Sequence, residues 1–108
     1  VIEAYIHTGN RVGALVELGC ETDFVARTPE FKELAHNIAM QVAAMAPLYV
    51  DESEISDEKA NDPQETCLLQ QTFIRDGEKT VQDLINEAVA KLGENIKIRR
   101  FVRFAIGE

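Results

Sequence analysis

The chain has 108 residues, 19 acidic and 11 basic, for a formal net charge of −8. That length suits one domain, and an apolar fraction of 45% supplies a core and excludes wholesale disorder. The acidic balance argues against a protein that coats nucleic acid, and no run reaches the ~18–20 apolar residues of a membrane span. The chain opens on Val1-Ile2-Glu3 rather than a basic and then apolar run, which reads as no signal peptide. It lacks a starting Met, which reads as a processed or excised piece.

Residues 2–7 alternate imperfectly and predict a strand. Thr8-Gly9-Asn10-Arg11 supplies residues that tolerate positive φ and predicts a hairpin turn. Residues 12–20 predict a second strand, in which Gly13 and Gly19 mark a bulge or a close backbone approach. Thr22 is a candidate N-cap for one short helical turn, with Asp23 placed well beside the helix dipole. A longer helix starts at Thr28-Pro29, with Thr28 capping and Pro29 at the first helical position. Phe31, Leu34, Ala35, Ile38, Val42 and Met45 then fall on one face at spacings of three and four. Lys32, Glu33, Asn37 and Gln41 fall largely elsewhere, and Pro47 ends the helix near Ala46.

Residues 51–66 differ in kind. They hold seven acids against one base and one sizeable aliphatic, Ile55. Such a segment buries too little to offset the entropy of ordering it, so it reads as an exposed acidic linker with at most one helical turn. Thr72-Phe73-Ile74 is a short extended piece, ended by an Asp76-Gly77 turn. Thr80 caps the next helix, with Asp83 placed for a capping box. Val81, Leu84, Ile85, Ala88, Val89 and Leu92 form its buried stripe, and Gly93 stands where a left-handed terminator belongs. Residues 96–106 predict a long strand with a change of phase at Arg99-Arg100. The order β-β-α-linker-α-β predicts an α+β two-layer sandwich, a three-stranded antiparallel sheet with helices packed on it.

Little points to an enzyme. There is no phosphate-binding Gly loop, no G-x-S-x-G and no metal-ligand cluster. Cys20 and Cys67 stand 47 positions apart without C-x-x-C spacing, so two free thiols in a reducing compartment are the simplest reading. His7 and His36 read as surface or packing residues, with no nucleophile near either in sequence. The reading is therefore a non-enzyme with no cofactor and no metal.

Two places invite a functional reading. Lys97 to Arg103 is a basic run with Phe101 within it and Phe104 just beyond. Interleaved aromatics can stack bases, yet these two Phe residues serve equally as core, with the basic side chains on a sheet edge or partner surface. The other place is Glu21-Thr22-Asp23-Phe24-Val25-Ala26-Arg27, an aromatic beside an acid in a connection between strand and helix. Either Phe24 tucks into the core while Asp23 helps cap the turn, or Phe24 is an anchor for a partner's pocket. Spacing alone favours the first.

At this motif the sequence resembles the elongation factor Ts family. Cys20-Glu21-Thr22-Asp23-Phe24-Val25-Ala26-Arg27 is similar to its signature, followed by Glu30-Phe31-Lys32-Glu33-Leu34-Ala35 and Ile38-Ala39-Met40-Gln41. Tyr5-Ile6-His7, Arg11-Val12-Gly13, Gly93-Glu94-Asn95-Ile96 and Arg99-Arg100-Phe101-Val102-Arg103-Phe104 also match. The resemblance covers residues 1–50 and 67–108. It implies a single core, or dimerisation, domain over residues 1–108, without the family's N-terminal helical domain. It implies a guanine-nucleotide exchange factor in translation elongation that binds elongation factor Tu in its GDP form. Asp23 and Phe24 would press into the GTPase domain near its magnesium and phosphate elements, with Thr22 and Val25 shaping the tip.

The resemblance also implies self-association through the sheet, with Arg99, Phe101, Val102, Arg103 and Phe104 on a dimer or partner strand. Val102 stands where some members carry a bridging Cys, which speaks against an intermolecular disulfide there. Neither nucleic acid nor a membrane is an expected direct partner. The expected compartment is the cytoplasm, or an organellar matrix or stroma in a eukaryote. The alternative is a structural or ribosome-associated interaction module of the same fold without exchange activity.

Overall fold

The structure is a computed structural model that describes residues 1–55 and 62–107. Strand β1 (Ile2–Ile6) and strand β2 (Val12–Gly19) form an antiparallel hairpin. Its turn places Gly9 at φ 99° and Asn10 at φ 60°, the left-handed values for which those residue types are suited. A four-residue helix α1 (Asp23–Ala26) leads into α2 (Pro29–Met45). Helix α3 (Pro63–Thr66), strand β3 (Thr72–Phe73), strand β4 (Asp76–Thr80), helix α4 (Val81–Leu92) and strand β5 (Lys97–Ala105) follow. The main sheet runs in the order β1-β2-β5, antiparallel throughout, as the α+β sandwich expected from the sequence.

Alternation on β2 explains the layering. Ala14, Val16 and Leu18 are buried, and α2 lies across that face against β1, β2 and β5. Phe31, Ile38 and Val42 of α2 are fully buried in the shared core, with Val81 and Ile85 of α4 closing one side. The phase change foreseen at Arg99-Arg100 is a bulge: Glu17 pairs with Arg100 and Leu18 with Ile98, leaving Arg99 without an opposite residue. Gly19 makes room for it, since a Cβ there would stand 3.1 Å from the Arg99 Nε. Helix ends follow the sequence signals as well. Thr28 Oγ1 accepts from the Phe31 amide, Ala46 ends α2 at φ 47°, Thr80 and Asp83 form the capping box, and Gly93 ends α4 at φ 75°.

Four sequence expectations change. Met45 is half exposed rather than part of the buried stripe. The turn after Phe73 falls at Ile74-Arg75, two residues before the expected Asp76-Gly77, and Asp76 opens β4 of a second, two-stranded sheet. The acidic segment is not uniformly solvated connection. Leu48 and Tyr49 amides donate to Thr66 O, and the Leu68 amide donates to Tyr49 O, so its two feet are paired. Glu54 accepts from the Val50 amide at 2.7 Å, and Asp51 and Asp62 cap the short turns that begin at Glu52 and Pro63. The middle of the expected linker, residues 56–61, lies outside the described residues.

The largest departure is Gln41, placed by its chemistry on the polar side of α2 yet wholly buried. Its Nε2 donates to Gln71 Oε1 at 3.1 Å and to Thr72 O at 3.0 Å, and its Oε1 accepts from the Ile74 amide at 2.9 Å. Gln71, also buried, donates to Glu65 O at 2.7 Å. A saturated amide pair thus pins α3 and the β3-β4 hairpin to α2. Gln41→Leu keeps the volume but leaves the buried Gln71 Oε1 without its donor, and a buried unpaired group costs about 1–3 kcal/mol. Urea denaturation should show a loss of about 2 kcal/mol with an unchanged m value; a loss within error would mean the network contributes only shape.

Candidate functional site

The tip between β2 and α2 is built from two threonines. Thr22 is the N-cap of α1, and its Oγ1 accepts from the Val25 amide at 3.3 Å. Thr28 Oγ1 donates to Val25 O at 2.7 Å while it accepts from the Phe31 amide at 3.2 Å. Between these grips Val25 turns inward and is buried in the core. Helical geometry then forces the two preceding side chains outward. Asp23 is exposed, and Phe24 is 80% exposed, the most exposed large apolar side chain among the described residues.

Of the two readings of Phe24, the core reading is overturned, because Val25 takes the inward position that spacing alone had left to Phe24. The four residues named for the tip therefore divide. Asp23 and Phe24 present themselves to solvent, Thr22 holds the turn, and Val25 anchors it from below.

The far side of the tip is held from β5's end of the molecule. Glu94, in the connection between α4 and β5, accepts from the Glu21 amide at 3.1 Å and the Thr22 amide at 3.0 Å. Its second oxygen accepts from the Thr22 hydroxyl at 2.6 Å. Glu21 returns the contact and accepts from the Asn95 amide at 2.6 Å. Both glutamates lie in stretches matched to the family, Glu21-Thr22-Asp23 and Gly93-Glu94-Asn95, but only the fold brings these positions, more than seventy apart, together.

A second surface lies on the open face of the main sheet. Ile2, Ile6, Leu15, Val102, Phe104 and Ile106 are all exposed, Ile2 at 67% and Phe104 at 71%. The register places Ile2, Ala4 and Ile6 against Glu17, Leu15 and Gly13, which in turn face Arg100, Val102 and Phe104. The residues expected on one partner strand are thus split. Val102 and Phe104 belong to this face, whereas Phe101 packs on the core and Arg103 donates to the Ala43 carbonyl near the end of α2 at 3.0 Å. Arg99 is the bulged residue, and Arg100 pairs with Glu17 at 2.7 Å, so the basic run forms no continuous stripe. A signal for this face was present in β2, where Leu15 interrupts the inward Ala14-Val16-Leu18 set with a second apolar side, the mark of a strand covered on both faces.

Groups with chemical potential elsewhere are quiet. Tyr5 and His7 share a hydrogen bond at 3.0 Å, and His36 meets Glu3 at 3.3 Å on the exposed edge of β1. Cys20 and Cys67 are both free, and burial pushes the Cys67 thiol pKa up, making it a poor nucleophile. Among the described residues no three His, Cys, Asp or Glu gather as a metal site, and no helix is long and apolar enough to cross a membrane.

The family model described as elongation factor TS matches residues 1–63 and 61–108, two pieces that meet inside the acidic segment. The elongation factor Ts of Moorella thermoacetica is 45% identical over the whole of this chain, which covers 68% of that relative. The factors of Syntrophomonas wolfei and Thermotoga petrophila are 44% and 47% identical over the whole chain, with 64% and 68% of their lengths covered. This chain belongs to the elongation factor Ts family, a family of translation elongation factors. It spans about two thirds of the length of these relatives.

The geometry of the tip makes opposite demands on neighbouring residues. Phe24→Ala removes a side chain that touches little of its own fold, so denaturation should shift by less than about 0.5 kcal/mol. Val25→Ala should cost about 1–3 kcal/mol, because it empties a buried site. Equal losses in the two variants would return Phe24 to the core.

Proposed function

We propose that the chain is the core domain of a guanine-nucleotide exchange factor that binds elongation factor Tu in its GDP form and speeds GDP release. The observation that carries this reading is Phe24, an aromatic held 80% exposed on a turn fixed from both sides. Keeping a large apolar ring in water lowers no energy in the free domain. Its use is in a partner's pocket, where buried aromatics dominate binding. Membership of the elongation factor Ts family supports elongation factor Tu as that partner.

The mechanism is one of linkage. GDP and Mg²⁺ are held by a pre-organised phosphate cradle in the GTPase. Asp23 and Phe24 bind best when that cradle is displaced, so the factor weakens the nucleotide by the same ratio by which the nucleotide weakens the factor. No bond is made or broken on this chain. Rebinding of a nucleotide restores the cradle and expels the factor.

The open sheet face is proposed to pair with the same face of a second copy. Its six exposed apolar side chains lie on the flat of the sheet, with Glu17 and Arg100 already paired beside them, so two copies related by a two-fold axis would bury like against like. The face, more than the open edge of β5, is then the dimer seam. Light scattering should give twice the monomer mass, and Leu15→Asp should give the monomer; a monomeric native chain would sink the pairing.

Exchange is tested by stopped-flow release of labelled GDP from elongation factor Tu. The chain, and more strongly a version extended by the family's N-terminal helical domain, should accelerate release. Phe24→Ala should remove about 1–3 kcal/mol of that acceleration, roughly 5- to 150-fold. Tight binding of the extended version with no change in the GDP off-rate would replace exchange by a purely structural interaction.

A further inference from the structure

We infer that Glu94 is a positioning residue for the exchange tip: it sets the orientation of Thr22, and through Thr22 that of Asp23 and Phe24, without touching the partner. The inference rests on the exchange reading above and adds to it a residue remote in sequence from the tip.

The physical need comes first. A helix of four residues has paid the full cost of nucleation with almost no propagation, so α1 does not hold itself. Phe24 contributes no burial that would fix it. The direction of its ring is therefore decided by the residues on either side. On the C-terminal side this is done by Val25 in the core and by the Thr28 hydroxyl on the Val25 carbonyl. On the N-terminal side nothing apolar is buried at Glu21 or Thr22, and both are exposed. What holds them is chiefly the Glu94 carboxylate, which takes three hydrogen bonds from Glu21 and Thr22, with one further contact from the core-packed Cys20, whose thiol donates to Thr22 O at 3.2 Å.

The geometry of those three bonds is specific. One carboxylate oxygen collects two successive amides, which fixes the backbone at the entry to α1. The other takes the Thr22 hydroxyl proton at 2.6 Å. With its proton committed to Glu94, the Thr22 Oγ1 must turn a lone pair toward the Val25 amide, which is the cap of α1. The cap and the clamp are one relay, from carboxylate to hydroxyl to helix. The reciprocal bond from the Asn95 amide to Glu21 closes the ring and ties the α4-β5 connection to the tip. Gly93 makes the approach feasible, because its φ of 75° ends α4 and turns the chain directly into Glu94.

The clamp and the wedge are separable by experiment, using the full chain. In the free protein, Glu94→Ala should speed hydrogen exchange at the Thr22 and Val25 amides by about tenfold, while amides in the middle of β2 and α2 keep their protection. Glu94→Gln, which retains an acceptor oxygen, should fall between. In the GDP-release assay, Glu94→Ala should lower the maximal acceleration by about tenfold. The half-saturating concentration should change much less, because no partner contact is lost. Thr22→Ala combined with Glu94→Ala should be no worse than the worse single variant, as members of one relay are non-additive.

Unchanged amide exchange at Thr22 and Val25 in Glu94→Ala overturns the clamp. So does an unchanged maximal rate in that variant while Phe24→Ala is impaired. A chain whose Glu94→Ala variant loosens the tip, but which never accelerates GDP release in its native form, overturns the exchange reading and leaves the clamp standing.

Discussion

A three-stranded sheet has two faces, and α2 covers only one of them. That inequality organises the molecule. Ala14, Val16 and Leu18 point at α2 and form the core, so every odd-numbered neighbour on β2 is committed to the other side. The bulge at Arg99 extends the same logic to β5. Without the extra residue, Ile98 and Phe101 could not both face the core, and with Ile98 inward, Val102 and Phe104 would face inward as well. The apolar open face is thus a consequence of the register as much as of composition, and it is built by the same alternation that builds the core.

The second constraint acts where the sheet ends. Beyond Gly19 the chain must cross to the start of α2, and it does so in a turn too short to be stable by itself. Two hydroxyls, the Glu94 carboxylate and one buried valine hold it. The fold uses polar contacts for this because apolar ones would have drawn Phe24 inward. An exposed ring on a fixed mount requires that the mount be made from hydrogen bonds and from a neighbouring side chain of opposite orientation. Interior polar contacts do a different job. Gln41 and Gln71 are buried and saturated, and they set the place of the β3-β4 hairpin, which has little core of its own.

Much of this was legible in the sequence. Thr28-Pro29, Thr80 with Asp83, and Gly93 mark helix ends by local chemistry, and they lie where the structure puts them. The change of phase at Arg99-Arg100 was visible because alternation is a local property too. What was hidden depends on contacts between distant segments. Gln41 looks polar in any helical projection, and only the arrival of Gln71, Thr72 and Ile74 makes its burial favourable. The turn at Ile74-Arg75 was missed because Asp76-Gly77 is the stronger turn signal, and tertiary pairing overrode it. Phe24 was ambiguous for a similar reason. An aromatic in a connection reads as core until the residue beside it is seen to fill the core position.

Charge shows the same division between local and distant effects. Residues 51–66 hold a net −6 of the chain's −8, so the rest of the chain is close to neutral. At the described ends of that segment the acids act on their immediate neighbours: Asp51 and Asp62 cap short turns, Glu54 takes the Val50 amide, and Glu52 takes the Gln70 side-chain amide at 2.7 Å. These carboxylates are engaged in closing the foot of an excursion that begins and ends beside Tyr49 and Cys67. Bulk acidity therefore says little about what the folded face recognises. At the tip the Glu94 carboxylate acts locally: it takes the Thr22 hydroxyl proton, and the same Thr22 oxygen accepts from the Val25 amide.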